Sequence, residues 1–190
     1  VRCHPYVLKL MQAAGLADHD KRIDQFDRVL GQHAGFAVSN ACRAFLYGLT
    51  HSRIGSAPGD TYTARYFRKL SRYSAALALV SDTAMLLLGG KLKQKERISA
   101  RLGDVLSNLY IASSMLKRFE DQGRPELDRP LLAWAFHDCV FRMQTALDGV
   151  LRNFPIRPAA WLLRVLVFPI GRLESAPGDR LGGRVRIHQQ

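Results

Sequence analysis

Apolar residues recur at three- and four-residue steps along most of the chain, the spacing of helices that each bury one side. The first run predicts a short helix from about His4 to Ala14, stopped at Gly15. A long helix follows Asp18 and Asp20, whose carboxylates are placed to cap it. Its expected inner side carries Ile23, Phe26, Leu30, Ala34, Ala37, Ala41 and Phe45. A loop from Thr50 to Gly59 separates it from a third helix, capped by Asp60, with the stripe Phe67, Leu70, Tyr73, Leu77, Val80, Ala84, Leu88. Gly89-Gly90 closes that helix, since glycine takes the backbone conformation a helix end wants. A fourth carries Ile98, Leu102, Val105, Leu109, Ala112, Leu116 and Phe119 and ends at Gly123. Asp128-Arg129-Pro130 opens a fifth, with Leu132, Phe136, Cys139, Met143, Leu147 and Val150. Strand-type alternation and hairpin signals are absent. The expected fold class is all-α: a helical bundle of about five long helices plus a short apolar helix.

That short apolar helix lies between Phe154 and Arg172. From Ala159 to Phe168 it is apolar apart from Arg164. About ten to fourteen helical residues reach only about 15–21 Å, too short for a hydrocarbon core of about 30 Å. It does not span a membrane. Either it is a buried core helix, or it is a surface that lies in a membrane interface or meets a partner subunit. In the surface reading the contacting residues are Trp161, Leu162, Leu163, Arg164, Leu166 and Phe168, with Arg157 and Arg172 at headgroup level.

Composition narrows the partners more than the fold. The 190 residues are 47% hydrophobic and 23% charged, ordinary for a globular chain. Lys and Arg number 28 against 16 Asp and Glu, a net charge of +12 that favours anionic company. The densest basic run is Lys91, Lys93, Lys95, Arg97 and Arg101, read either as a solvated corner or as contact with phosphate, acidic lipid or an acidic domain. It lacks interleaved aromatics, and no recognition helix stands out, so nucleic acid is not the expected partner.

Candidate chemistry is sparse. Cys3, Cys42 and Cys139 form no CxxC pair, and Cys42 and Cys139 fall in apolar stretches as expected core residues of a reducing compartment. The six histidines form no HxxxH or ExxH pair, so no metal site is expected. Gly89-Gly90-Lys91 lacks the strand and spacing of a phosphate loop. Gly103 is expected to permit a close helix approach, with Asp104 beside it meeting a basic group or a helix N-terminus.

Several stretches together resemble one family. They are His4-Pro5-Tyr6-Val7, Arg65-Tyr66-Phe67, Leu70-Ser71-Arg72-Tyr73-Ser74-Ala75, Leu88 to Lys93, Glu96 to Ser107, Asn153-Phe154-Pro155, and Phe168-Pro169-Ile170-Gly171-Arg172. Nearly the whole chain resembles the C-terminal region of the large bacterial acyl-CoA dehydrogenases of fatty-acid degradation, most strongly from Gly89 to Ser107. Arg101-Leu102-Gly103-Asp104 with Leu109-Tyr110 is similar, more distantly, to the helical extension of very-long-chain acyl-CoA dehydrogenases.

The resemblance implies an FAD-dependent oxidoreductase of β-oxidation that converts medium- or long-chain acyl-CoA to trans-2-enoyl-CoA. A glutamate takes the α-proton, the β-hydride goes to FAD, and electrons pass to an electron-transfer flavoprotein. It also implies that this glutamate lies shortly before the counterpart of Val1, and the flavin-binding domains earlier still. No catalytic role therefore carries over to Glu96, Glu120, Glu126 or Glu174, and FAD is not expected to be held by this piece alone.

On this reading residues 1–15 are the tail of the dehydrogenase core, and 18–190 are an appended helical domain, truncated at its C-terminus. Its expected service is membrane docking or subunit contact, within a homo-oligomer in the bacterial cytoplasm or peripherally on the inner membrane. The alternative is a freestanding basic helical module that binds anionic lipid or nucleic acid.

Overall fold

The computed structural model describes residues 7–15, 19–53 and 56–178, with only the backbone described at Val7, Leu8, Leu10, Met11, His19 and Lys93. Of the described residues 82% are helical and none lies in a strand, so the fold is the all-α one the apolar spacing predicts. His4 to Tyr6, Cys3, the Asp18 cap and the stretch from 179 onward lie outside the described residues. Two compact units divide the chain, 1–40 and 41–190.

The first unit holds α1 (Val7–Ala14) and most of α2 (His19–Leu49). Ala13 and Val29 are buried, whereas Ile23, Phe26 and Leu30 are 47%, 37% and 46% exposed. The face expected to point inward is thus not the buried one. A helix of eight residues can cover only a narrow strip of a neighbour, and on this part of α2 it is Val29, not the expected stripe, that is buried.

The second unit contains the last turns of α2 and the helices α3 (Thr61–Leu88), α4 (Glu96–Asp121), α5 (Arg129–Arg152) and α6 (Arg157–Val167). Asp60 caps α3 as its position suggests. Its carboxylate accepts from the Tyr62 and Thr63 amides at 3.0 and 2.9 Å, while the Thr63 hydroxyl accepts from the Asp60 amide at 3.1 Å. Two of the amides a helix start leaves without partners are satisfied in this way, and the Asp60 amide with them. Gly89 ends α3 with φ +50° and opens a 3-10 turn, Gly89–Gln94. Gly123 and Arg124, both at positive φ, turn the chain out of α4 towards α5. Asp128 holds the cap position of α5, yet its side chain makes no capping hydrogen bond.

The core runs between α3, α4, α5 and α6. Tyr73, Val80, Val105, Leu116, Phe136, Met143, Leu147 and Phe154 are almost wholly buried there. The most extensive pairing is α4 against α5, with α3 on α4 and α6 on α5. Within Thr61–Leu92 an 18-residue stretch has mean hydropathy 1.5, so the segment is long and apolar enough to cross a membrane by length and composition. In the fold, however, Leu70, Tyr73, Leu79, Val80 and Ala84 of this segment belong to the core, and Arg72 and Asp82 are buried beside them. A central bundle helix needs the same apolarity.

Candidate functional site

Two prolines and two phenylalanines define α6. Pro158 sits in its first turn, where a missing amide costs nothing, and Pro169 follows its end. Phe154 and Phe168 are buried at either end. Between them Ala160, Leu163 and Val167 form the inner face, at 8%, 2% and 2% exposure. At 100° per residue the opposite face is Pro158, Trp161, Leu162 and Val165. Trp161 is 69% exposed, Leu162 53% and Val165 37%.

The core reading holds for one side of this segment, and its other side is exposed. Leu163 and Phe168 belong to the core and Leu166 is half-buried, so these three are not an outward contact. The helix is apolar on both sides, and only one side has the bundle to pack against. Arg157 and Arg164 share one flank, near a right angle to the outer face.

Arg164 does not simply project into solvent. Its Nη2 donates to Asp148 Oδ1 on α5 at 2.9 Å. Asp148 is buried and also meets Arg152 Nε at 2.8 Å and Arg172 Nη1 at 3.5 Å. One carboxylate therefore gathers three guanidinium groups. One turn earlier on α5, buried Gln144 fixes the chain that follows α6. Its Oε1 accepts from the Leu173 and Glu174 amides at 2.9 and 3.0 Å, and its Nε2 donates to the Glu174 carbonyl at 2.8 Å. Lys69 of α3 closes the anchor with an ion pair to Glu174 at 2.8 Å. Arg172 is thus held by backbone as well as by charge. Beside Asp148 an open cleft of about 620 Å³ is lined by Arg101, Arg142, Arg152 and Arg172, with Asp104 as its second carboxylate.

A family model for "Acyl-CoA dehydrogenase, C-terminal, bacterial type" matches residues 1–188. The chain belongs to that family. No solved structure matches it. The block from Gly89 to Ser107 that carried the resemblance forms the 3-10 turn and the first half of α4 in this acyl-CoA dehydrogenase C-terminal region.

The basic run of the dehydrogenase region divides in the structure. Lys91, Lys95 and Arg97 are exposed around the α3–α4 corner, and the side chain of Lys93 lies outside the described residues. Arg101 leaves them. It crosses to α5, donates to the Gly149 carbonyl at 2.9 Å and lies so close over Gly149 that a Cβ there would stand 2.8 Å from its Nε. Close packing at a glycine occurs at Gly149, not at Gly103, where an added Cβ would meet nothing within 4 Å. Asp104 is exposed at the rim of the cleft rather than set in the core. Cys139 is core, as its stripe predicts, and burial raises its thiol pKa; Cys42 is exposed on α2.

FAD needs an apolar slot for its ring system as well as partners for its phosphates. Three clefts among the described residues are open to water, two of them lined chiefly by charged and polar side chains and the third by Ala14, Arg22, Ile23, Phe26 and Asp27. The linings of these three do not fit a flavin ring. No group of three or more His, Cys, Asp or Glu among the described residues is placed to hold a metal ion.

Proposed function

We propose that this chain is the helical C-terminal part of an FAD-dependent dehydrogenase of medium- or long-chain acyl-CoA, and that it docks the enzyme on an anionic bilayer through the outer face of α6. The family supports the dehydrogenase, whose flavin, held elsewhere, accepts the hydride of the acyl chain. The single observation that supports docking is the exposure of Trp161, Leu162 and Val165 on one side of a helix whose other side is already packed. Burying such a face at about 25 cal/mol per Å² supplies a few kcal/mol, and each arginine near anionic lipid adds about 1 kcal/mol. Exposed Arg157 lies beside the face, whereas Arg164 is held by Asp148, and the chain carries +12 overall. Neither contribution anchors a protein alone; together they give reversible attachment. Long acyl chains partition into bilayers, so an enzyme that uses them gains by working at that surface.

Co-sedimentation with vesicles containing phosphatidylglycerol tests this reading. Binding weakens with salt and is lost in Trp161→Ser/Leu162→Ser/Val165→Ser, which keeps the helical circular dichroism of the parent. Unchanged binding by that folded variant overturns docking through α6.

A second apolar stripe favours contact between subunits. Leu127, Leu131 and Trp134 are 94%, 68% and 45% exposed at four- and three-residue spacing. In a homo-oligomer this stripe is covered, and Leu131→Glu shifts the mass measured by light scattering to that of a smaller species.

A further inference from the structure

The arrangement around Asp148 holds more positive charge than a structural staple between α5 and α6 requires. Four arginines line the cleft, Arg101, Arg142, Arg152 and Arg172, against two carboxylates, Asp104 and Asp148. Adding the partners just outside, Arg164 on Asp148 and Asp138 on Arg142 at 2.7 Å, leaves five arginines against three aspartates. The excess of two charges is unchanged. Three of these guanidinium groups crowd round one carboxylate, and like charges held that close repel one another. An anion placed among them relieves the repulsion.

The site is also built in advance. Asp148 is buried, with 5% of its side chain exposed, so its carboxylate is a fixed post for Arg152 and Arg172. Gln144 fixes the backbone on either side of Glu174, two residues beyond Arg172. Gly149 gives Arg101 a seat that any side chain would fill. Guanidinium groups so held lose little freedom on binding, and their planar donor sets match phosphate oxygens. The Asn108 amide keeps one hydrogen after donating to the Asp104 carbonyl, the Thr145 hydroxyl is already engaged with the Phe141 carbonyl, and half-buried Phe141 offers an apolar wall. A cleft of about 620 Å³ has room for a small ligand beyond a single phosphate.

We propose that this cleft binds a phosphate group, carried on a soluble phosphate ester or on a lipid headgroup. The site stands apart from the outer face of α6, so each is tested without the other.

Backbone and arginine Nε NMR signals of the ¹⁵N-labelled chain are followed at low salt during titration with pyrophosphate, then with adenosine 3′,5′-bisphosphate. Shifts at Gly149, Arg152 and Arg172 that saturate with a Kd of about 1 mM or tighter are expected. Arg142→Gln/Arg152→Gln weakens that binding about tenfold or more, the loss of one charge-assisted contact or more, while the variant stays folded. Trp161→Ser/Leu162→Ser/Val165→Ser leaves it unchanged. The same arginine variant is sedimented with phosphatidylglycerol vesicles. If soluble phosphates leave Gly149 and Arg152 unmoved but the arginine variant loses vesicle binding, the phosphate is that of a lipid headgroup. If the soluble probes bind and vesicle binding is untouched, it is that of a soluble ester. Shifts confined to Lys91–Arg97, or the absence of both effects, overturn the proposal.

Discussion

Gly48 on α2 faces Pro169 with no room for a side chain: a Cβ there would stand 2.7 Å from Cδ and 2.9 Å from Cγ of the proline ring. The ring is tied to its own backbone and cannot swing aside. Gly48→Ala is therefore expected to cost about 1–3 kcal/mol, the usual penalty of overpacking, measured by urea unfolding. Gly103→Ala, in open space on α4, is expected to stabilise by about 0.4–1 kcal/mol in the same measurement. A loss at Gly103 matching that at Gly48 would contradict this assignment of the close approaches.

Removing Asp148 leaves Arg152, Arg164 and Arg172 facing one another without their shared carboxylate. The arginines are partly exposed, which screens the repulsion, so Asp148→Ala is expected to cost about 1–3 kcal/mol. Double-mutant cycles with Arg164→Ala should return a positive coupling, and a coupling of zero would show that the 2.9 Å contact carries no energy.

The helices were legible because each buries one stripe, and the stripes of α3, α4 and α5 fall where the core is. Tyr73, Val105 and Phe136 sit at helical spacing from their neighbours and are core. The stripe of α2 misled, because periodicity identifies an apolar face without saying that something covers it. Trp161 and Leu163 show the same gap within a single helix. The arginine cleft was hidden because Arg101, Asp148 and Arg172 are distant in sequence and meet only once α4, α5 and the chain after α6 have packed. One signal was present: Gln144 and Asp148 are polar residues four apart beside the apolar face of α5, a spacing that puts both on one line of the helix.

Acid should loosen the start of α3. Hydrogen bonds from Thr63, first its amide, hold the Asp60 carboxyl below its ordinary value of 3.8. The Arg124 guanidinium does the same for Glu120, whose ordinary value is 4.5. Both groups bind protons more readily when unfolded, so their stabilisation is complete above those ordinary values and is lost as pH falls through the lower, folded-state ones. The thermal midpoint should accordingly drop as pH falls below about 4, and less steeply in Arg124→Gln. An identical slope in that variant would contradict the assignment.

Alkali acts on the core. Burial, helped by the hydrogen bond to Tyr62, pushes the Tyr66 hydroxyl up to about 12, and burial raises Tyr73 also. The folded state keeps these phenols protonated, so their stabilisation is intact below the ordinary value of 10.0 and is lost as pH rises through the folded-state values. Phenolate absorbance from Tyr73 should appear only together with loss of helical circular dichroism; its appearance in the folded chain would contradict the core position of that ring.

The thiols offer a check on burial itself. An alkylating reagent should label exposed Cys42 in the native chain and reach buried Cys139 only on unfolding, as read by mass spectrometry of peptides. Equal native labelling would place Cys139 outside the core.

Depth-resolved quenching of Trp161 tests the docking surface most directly. The chain has two tryptophans, so Trp134→Phe leaves Trp161 as the sole emitter. With phosphatidylglycerol vesicles whose acyl chains carry bromine just below the headgroups, its emission should shift to the blue and be quenched, and salt should reverse both changes. Vesicles that bind the chain while Trp161 stays unquenched and water-like would contradict docking through the outer face of α6.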